Sequence, residues 1–499
     1  MPPQGLLLIA AYMPEQWPVR FVDENIRPAS AADFAWADAV FVSGMHIQAP
    51  QIHDIARRAK AAGKVIALGG PSVSSAPEIY PEFLHIGEIG DSTDRLIDRL
   101  DDSCTAPPEQ VRFETAERLA LSDFPVPAYH LIRLDRCLLG SLQFSSGCPY
   151  RCEFCDIPAL YGRQPRLKTP QQLTAELDAM LAQGRHPSVV YFVDDNFIGN
   201  RKAAREMLPH LIEWQKRRGH PLRFACEATL NIAKQTEILA LMRAAEFHTV
   251  FVGIESAETE ALIHMRKEQN AALPMLEAIR TLNRYGLEVT SGIILGLDTD
   301  TAETEARLKA FIDASNVPIL TINLLQALPK TPLWDRLKRD GRVIADDTGL
   351  ESNVRFLRPY DEVVAMWRRC IAHAYAPERL FKRFTHQVEA TYANRLVGPV
   401  RGKLTLNNLR LALVLAFNVA FRIGVLSDYR RWFWNAALPA LRRGQIDAAL
   451  SMGVVGHHLI RFSREALRGE QNASFYSAQS LRSTHAEPPP RASLREASL

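Results

Sequence analysis

The sequence has 499 residues, of which 47% are hydrophobic, and its formal net charge at pH 7 is +3. A chain of this length is too long to fold around one ordinary hydrophobic core, which predicts about two to four domains. The near-neutral charge argues against a nucleic-acid-binding protein, which would carry a basic domain or stripe. The N-terminus lacks the charged region of a signal peptide, and no uninterrupted apolar run is long enough to span a membrane. The seven cysteines are too few and odd in number for a disulfide framework, and free, closely spaced thiols imply a reducing compartment and therefore a cytoplasmic location.

Short apolar runs alternate with helical patterns across residues 1–102. This alternation predicts an α/β domain with a parallel, doubly wound sheet, in which ligands bind at the carboxyl ends of the strands. The predicted strands are Val19–Asp23, Ala39–Gly44, Val65–Gly70 and Leu84–Gly87. Candidate ligand-binding residues at their ends are Ser43, Gly44, His46, Gly69, Gly70, Ser72, Gly87 and Glu88. Glycine is also common in ordinary turns at strand ends, so these residues alone leave both roles open.

Proline clusters mark residues 103–138 as a linker. From 139 to 345, a strand–helix unit repeats six times, which predicts a partial (β/α)6 barrel with its chemistry at the strand carboxyl ends. Thr169 and Pro170 are suitable to begin the first intervening helix. The predicted strands are Leu142–Ser145, Val189–Asp194, Arg223–Glu227, Thr249–Ile254, Glu288–Leu295 and Ile319–Leu324.

Three cysteines, Cys148, Cys152 and Cys155, follow the first barrel strand with the spacing Cys-x3-Cys-x2-Cys. Three thiolates at this spacing can hold a [4Fe–4S] cluster and leave its fourth iron without a protein ligand. A structural zinc site is disfavoured because it usually needs four Cys or His ligands in two pairs. The other four cysteines are scattered singly, as expected for small buried residues.

The remaining predicted strand ends of the barrel carry carboxylates and glycines: Asp195, Glu227, Gly253, Glu255 and Gly292. Carboxylates at this rim are suited to hold the hydroxyl and amino groups of a bound ligand. The alternative is that the acidic residues cap the following helices. A shared rim position favours the binding role for Asp195 and Glu255.

Residues 346–470 have a helical pattern and predict an accessory domain, followed by a disordered tail over 471–499. Within 401–470 there are 11 Lys or Arg residues against 4 Asp or Glu. The apolar stretch 409–423 is interrupted by arginines, which fits a helix lying in a membrane interface. A buried core helix is the alternative that the pattern leaves open.

The cysteine spacing, with Phe154 before the last cysteine, resembles that of the radical S-adenosylmethionine (SAM) superfamily. The order of the domains resembles the cobalamin-binding members, and five stretches resemble the hopanoid C-2 methylases. Tyr360–Val364 resembles the accessory domain of that group. The five stretches are Phe21–Pro28, Phe41–Gln48, Phe192–Asn200, Cys226–Asn231 and Leu324–Trp334.

This resemblance implies a [4Fe–4S] cluster, SAM and cobalamin as cofactors. It assigns Phe154 and the rim residues to SAM, and the strand ends of residues 1–102 to cobalamin. The Asp-x-His-x-x-Gly signature that supplies a cobalt ligand in many cobalamin proteins is absent. The family also has a strand upstream of the helix matching 3–12, and this sequence lacks it. We therefore expect a misassigned start codon or an impaired cobalamin domain.

The resemblance implies a radical SAM methyltransferase that methylates carbon 2 of hopanoids. It also implies a one-electron reductant such as ferredoxin or flavodoxin, and a peripheral contact with the inner face of the cytoplasmic membrane through 409–423. Alternatives are another cobalamin-dependent radical SAM reaction (methylation, cyclisation or ring contraction) on a different lipid or polycycle, and a non-catalytic cobalamin or redox sensor. A methylthiotransferase acting on tRNA would need a second cysteine triad, which the sequence lacks.

Overall fold

The computed structural model describes residues 1–271, 274–344, 350–396 and 413–468. The chain divides into two compact units. The sheet unit comprises 23–118 and the described part of 336–355. The barrel unit comprises 1–22, 119–335 and the described part of 356–471. The four-stranded sheet and the six-stranded sheet, each parallel throughout, confirm the predicted α/β class.

The sheet unit contains four parallel strands in the order β1-β2-β3-β4. One face packs its Ile66, Leu68 and Leu84 against Ile52 of a helix. On the other face, Arg99 lies over the Phe83 ring at 5.3 Å, so helices cover both faces. The strands are β1 Ala39–Ser43, β2 Val65–Gly69, β3 Phe83–Ile86 and β4 Val111–Glu114, and the helices are Ala31–Trp36, Ala49–Ala61, Gly70–Ser75 and Asp91–Asp102.

Two predictions for this region are wrong. Val19–Asp23 forms no strand, because its backbone pairs with no strand in the described part of the chain. The predicted linker 103–138 contains β4, which pairs in parallel with β3. Only Phe113 of β4 is buried. An edge strand with one buried side chain has little hydrophobic signal, so the neighbouring prolines dominated the sequence pattern.

The barrel unit is built on a parallel sheet of six strands in the order β12-β11-β10-β9-β8-β5. The predicted strand–helix repeat is therefore confirmed. The Thr169 side chain accepts a hydrogen bond from the Gln172 amide and caps the helix after the cysteines, as predicted. The strands of this sheet are β5 Gly140–Leu142, β8 Val189–Phe192, β9 Arg223–Ala228, β10 Phe247–Glu255, β11 Glu288–Leu295 and β12 Ile319–Leu324, with an antiparallel pair formed by β6 Ser145–Ser146 and β7 Arg166–Leu167.

The first barrel strand lies earlier than predicted and ends at Leu142. The chain then leaves the sheet, because the Asp194 carboxylate accepts from the Phe144 amide at 3.2 Å and holds it outside the ladder. Helices between and after the strands are Ile157–Leu160, Pro170–Ala182, Arg201–Arg218, Thr236–Ala244, Thr259–His264, Glu268–Ala271, Met275–Arg284, Thr304–Ser315 and Pro332–Arg339.

The N-terminal helix Gln4–Tyr12 belongs to the barrel unit rather than to the domain expected for 1–102. Its buried Gln4 accepts hydrogen bonds from the Ser141 hydroxyl at 2.9 Å and the Tyr129 hydroxyl at 3.3 Å. These contacts depend on side chains more than 120 residues away, so no local pattern predicts them.

The C-terminal part of the barrel unit is helical, as predicted. Trp367 is fully buried and donates its indole N–H to the Ile322 carbonyl at 2.7 Å, which ties these helices to β12. No described helix is long and apolar enough to cross a bilayer. Residues 409–412 and the predicted tail lie outside the described residues. The helices are Tyr360–Ala374, Pro377–Ala390, 413–418, the π-helix Val419–Ile423, Arg430–Arg442 and Ile446–Leu467.

Candidate functional site

The three clustered cysteines lie in a loop closed at its base by the β6–β7 pair. Gly147 enters this loop with a φ of +99°, and a Cβ there would meet the Gly162 carbonyl oxygen at 3.0 Å. The Cys148 amide donates to the same carbonyl at 3.2 Å. Glycine is therefore required where the two sides of the loop approach each other.

The structure brings Cys148, Cys152 and Cys155 close enough for their charges to interact. Burial raises the pKa of the Cys148 and Cys155 thiols, and the neighbouring thiols raise both further. Among the described residues, no three His, Cys, Asp or Glu side chains are close enough to share one metal ion. A [4Fe–4S] cube binds each thiolate through a different iron and so spaces its ligands more widely. Its positive irons would also offset the cost of deprotonating the three thiols.

Two adjacent carboxylates from the end of β8 hold this loop. Asp194 is fully buried and accepts from the Ser145 hydroxyl at 2.5 Å, besides its bond from Phe144. Burial raises the pKa of Asp194 to about 7. Asp195, predicted to bind SAM, accepts from the Gly147 amide at 2.7 Å. Asp195 therefore positions the cysteine loop, a role that the sequence analysis did not assign.

Phe154, Gly253 and Glu255 lie around the Lys267 ammonium, and Gly292 lies beside the Glu255 carboxylate. Lys267 Nζ lies 2.6 Å from Glu255 Oε1 and 5.5 Å from the Phe154 ring centre. Gly253 and Gly292 pair in register on β10 and β11. A Cβ on Gly253 would lie 2.3 Å from Glu255 Oε1, so the carboxylate occupies the space that this glycine leaves. The sequence analysis missed Lys267, because a single lysine after a short helix carries no distinctive signal.

Glu227, the remaining predicted SAM ligand, is a half-buried residue of β9. It accepts a hydrogen bond from the Tyr191 hydroxyl at 3.2 Å. Burial, together with the charges of Asp195 and Glu255, raises the pKa of Glu227 to about 7. Glu227 therefore lies close enough to both Asp195 and Glu255 for their charges to repel its own.

In the sheet unit, the structure brings together five of the eight predicted residues. Ser43 pairs in register with Gly69, and the Ser72 amide donates to the Gly44 carbonyl at 3.3 Å. Gly70 has a φ of +86°, and a Cβ there would lie 2.2 Å from Ser43 Oγ. This close backbone approach requires glycine in the turn itself.

The other three predicted residues, Gly87, Glu88 and His46, have contacts outside this group. Gly87 donates its amide to Ser74 Oγ at 3.0 Å, and Glu88 forms an ion pair with Arg118 at 3.4 Å. His46 begins a short 3₁₀ turn after β1. The sequence analysis missed His85, whose Nε2 lies 3.0 Å from Ser92 Oγ and whose pKa burial lowers to about 4.

Comparison with known proteins agrees with this architecture. The family described as the radical SAM superfamily matches residues 142–312, and a domain of unknown function, DUF4070, matches 331–472. The radical SAM methyltransferase TsrM from Kitasatospora setae, solved with cobalamin and a [4Fe–4S] cluster bound, shares the fold. The TM-score is 0.60 at 16% identity, over 93% of this chain and 97% of that one.

Two proteins are similar over nearly the whole chain. An uncharacterized methyltransferase of Synechocystis sp. is 33% identical, covering 96% of this chain and 90% of its own length. The hopanoid C-2 methylase of Rhodopseudomonas palustris (strain TIE-1) is 59% identical, also over 96% of this chain and 90% of its own length. The chain therefore belongs to the hopanoid C-2 methylase family, within the radical SAM superfamily.

Proposed function

We propose that this protein is a cobalamin-dependent radical SAM C-methyltransferase that methylates carbon 2 of hopanoids. The observation that carries the proposal is the 59% identity to a hopanoid C-2 methylase across 96% of the chain. When bound, the cluster supplies the electron for reductive cleavage of SAM, and cobalamin supplies the methyl group. A one-electron reductant such as ferredoxin or flavodoxin delivers that electron in the cytoplasm.

Cys148, Cys152 and Cys155 hold the cluster in this proposal. SAM binds beside it at the rim, near Glu255 and the paired glycines of β10 and β11. One observation fits a ligand there: the fully buried Asn270 donates its amide to the Gly253 carbonyl at 2.8 Å, while its Oδ1 has no hydrogen-bond partner. A buried acceptor without a donor is costly, and a ligand amino group would satisfy it.

Cobalamin binds at the strand ends of the sheet unit. The approach of Gly70 to Ser43 leaves no room for a side chain on residue 70, and such a close backbone approach suits a bulky ligand. The Ser75 hydroxyl is buried in the following helix without a hydrogen-bond partner. Ser75 ends the helix that begins at Gly70, and a polar ligand that reached it would satisfy its hydroxyl.

A hopanoid lies in the bilayer, so the enzyme must reach a membrane surface. The 413–426 segment exposes large apolar side chains, including Phe417 at 67% and Leu426 at 63%. Phe417 and Phe421 stack with ring centres 5.7 Å apart. A water-exposed aromatic pair of this kind is unfavourable unless another surface covers it.

The occupant that we propose for this segment is an anionic lipid bilayer. The exposed residues Arg422, Arg430 and Arg431 flank the apolar side chains and would meet phosphate headgroups. Trp432 and Trp434 follow, and tryptophan is enriched at membrane interfaces. One short segment gives reversible, peripheral binding.

The substrate assignment is tested by lipid profiling in a hopanoid-making host that lacks a C-2 methylase. Expression of the protein should convert part of the hopanoid pool to species heavier by one CH2 unit, with fragmentation placing the methyl group at carbon 2. The matched control is the Cys152→Ala variant, which should yield none. Unchanged hopanoids in the presence of a protein that cleaves SAM would rule out this substrate.

A further inference from the structure

One segment of the barrel unit, residues 265–270, packs directly against the cysteine loop. The Glu153 amide donates to the Met265 carbonyl at 2.9 Å, which joins the two backbones. Gln269 Nε2 donates to Cys152 Sγ at 3.5 Å. The segment therefore reaches the loop through its backbone and through a side chain that contacts a predicted cluster ligand.

Lys267 lies at the centre of this contact and is 5% exposed. Its ammonium has one carboxylate partner, Glu255, and lies over Phe154, which sits between Cys152 and Cys155 in the chain. Glu255 adopts a φ of +66°, an unfavourable conformation for a residue other than glycine. A buried cation facing a strained carboxylate is costly to build and marks a functional position.

The charge of Lys267 also acts on the cysteines. Burial lowers the pKa of Lys267, but Glu255, Cys152 and Cys155 raise it by more, so the ammonium stays protonated. A fixed positive charge near cluster sulfurs stabilises the reduced cluster, which carries one more electron than the oxidised one. A hydrogen bond to a ligating sulfur acts in the same direction.

We propose that Lys267 is a positioning residue that sets the reduction potential of the cluster at Cys148, Cys152 and Cys155, with Gln269 contributing through Cys152. The inference rests on the proposed function, because it requires that these cysteines hold a cluster. It adds a charged group outside the ligand set that makes reduction of the cluster easier.

The test is a redox titration of anaerobically reconstituted full-length protein without SAM, using dithionite and following the reduced cluster by electron paramagnetic resonance. Lys267→Met should make the midpoint potential more negative. Lys267→Arg keeps the positive charge, so its midpoint potential should stay close to that of the wild type. Gln269→Leu should give a smaller shift of the same sign. The matched control is Lys168→Met, which removes another buried lysine whose ion-pair partner is Glu176; the midpoint potential should not change.

The outcomes separate this inference from the proposed function. A wild-type protein that binds no iron or sulfide contradicts the function itself. If the wild type holds a cluster and Lys267→Met has the same midpoint potential, the inference is overturned. This holds even if Lys267→Met binds SAM more weakly than the wild type. If Lys267→Met does not hold a full cluster, Gln269→Leu decides, and an unchanged potential there overturns the proposal.

Discussion

The Asp194 carboxylate, two residues beyond the end of β8, accepts hydrogen bonds from both the backbone amide and the hydroxyl of Ser145. Ser145 lies three residues before the first cysteine of the loop. Because Asp194 is fully buried, bulk water does not compete with it for the Ser145 amide and hydroxyl. The neighbouring strand therefore fixes the position at which the cysteine loop leaves the barrel.

Removing this carboxylate should loosen the loop. Asp194→Ala leaves the Phe144 and Ser145 amides buried without acceptors, which should cost roughly 3 kcal/mol of unfolding free energy. Ser145→Ala loses one hydroxyl and should cost about 1 kcal/mol. Urea denaturation and the iron content of reconstituted protein measure both effects. Equal losses from the two variants would show that the backbone amides do not depend on Asp194.

The cluster ligands are tested by single cysteine replacements. Cys148→Ala, Cys152→Ala and Cys155→Ala should each abolish iron–sulfur absorbance and SAM cleavage after anaerobic reconstitution. Cys226→Ala and Cys370→Ala are matched controls, because both cysteines are buried elsewhere in the barrel unit, and both variants should retain the absorbance. Loss of the cluster from Cys370→Ala alone would show that the ligand set is wrong.

Glu227 should make stability depend on pH. Its folded pKa of about 7 lies above the ordinary value of 4.5, so ionisation costs more in the folded state. The folded protein should lose roughly 3 kcal/mol from this group as the pH rises from 4.5 to 7.

Comparison with Glu227→Gln isolates this contribution, because glutamine does not ionise. The stability of the variant relative to wild type should rise between pH 5 and pH 8 in thermal unfolding. Glu277→Gln is the control: that exposed carboxylate has a pKa lowered by hydrogen bonds from Arg284 and Arg280, so its relative stability should not rise. If the stability difference between Glu227→Gln and wild type did not change with pH, the pKa of Glu227 would not be raised.

Gly70 should be necessary in the sheet unit. Gly70→Ala introduces both a left-handed alanine and a clash with Ser43, so cobalamin binding, measured by absorbance, should fall below that of the unaltered protein. Gly63→Ala is the control, because it also has a positive φ of +69° but open space around a Cβ. Gly63→Ala should lose only the free energy of holding alanine in a left-handed backbone conformation, about 1 kcal/mol of stability. Equal cobalamin binding by the two variants would show that Gly70 is not part of the cobalamin site.

Membrane binding is tested by flotation with anionic liposomes. The Phe417→Asp, Phe421→Asp double variant should lose flotation while remaining folded, because both side chains are exposed. Leu357→Asp is the control, since Leu357 is 66% exposed but lies outside the 413–426 segment. Arg422→Glu should weaken binding most at low salt. A wild-type protein that never floats would make a soluble substrate the better hypothesis.

The amino-acid sequence by itself determined the local features of this protein. The spacing of the cysteines is set by covalent chain length, so the candidate ligand set can be identified without a fold. The alternation of apolar strands and helices likewise predicted both parallel sheets. The helix cap at Thr169 was predictable because a cap involves residues only three positions apart.

Only the tertiary structure decided contacts between distant residues. Strand register and loop paths place Asp195 against Gly147, 48 residues away, and Gln4 against Ser141, 137 residues away. The sequence left the apolar 409–423 stretch open between a core helix and an interfacial one, and packing of the fold exposes Phe417 while burying Val419 and Ile423. Such contacts depend on how complete elements meet in space, and short-range residue patterns carry no information about that.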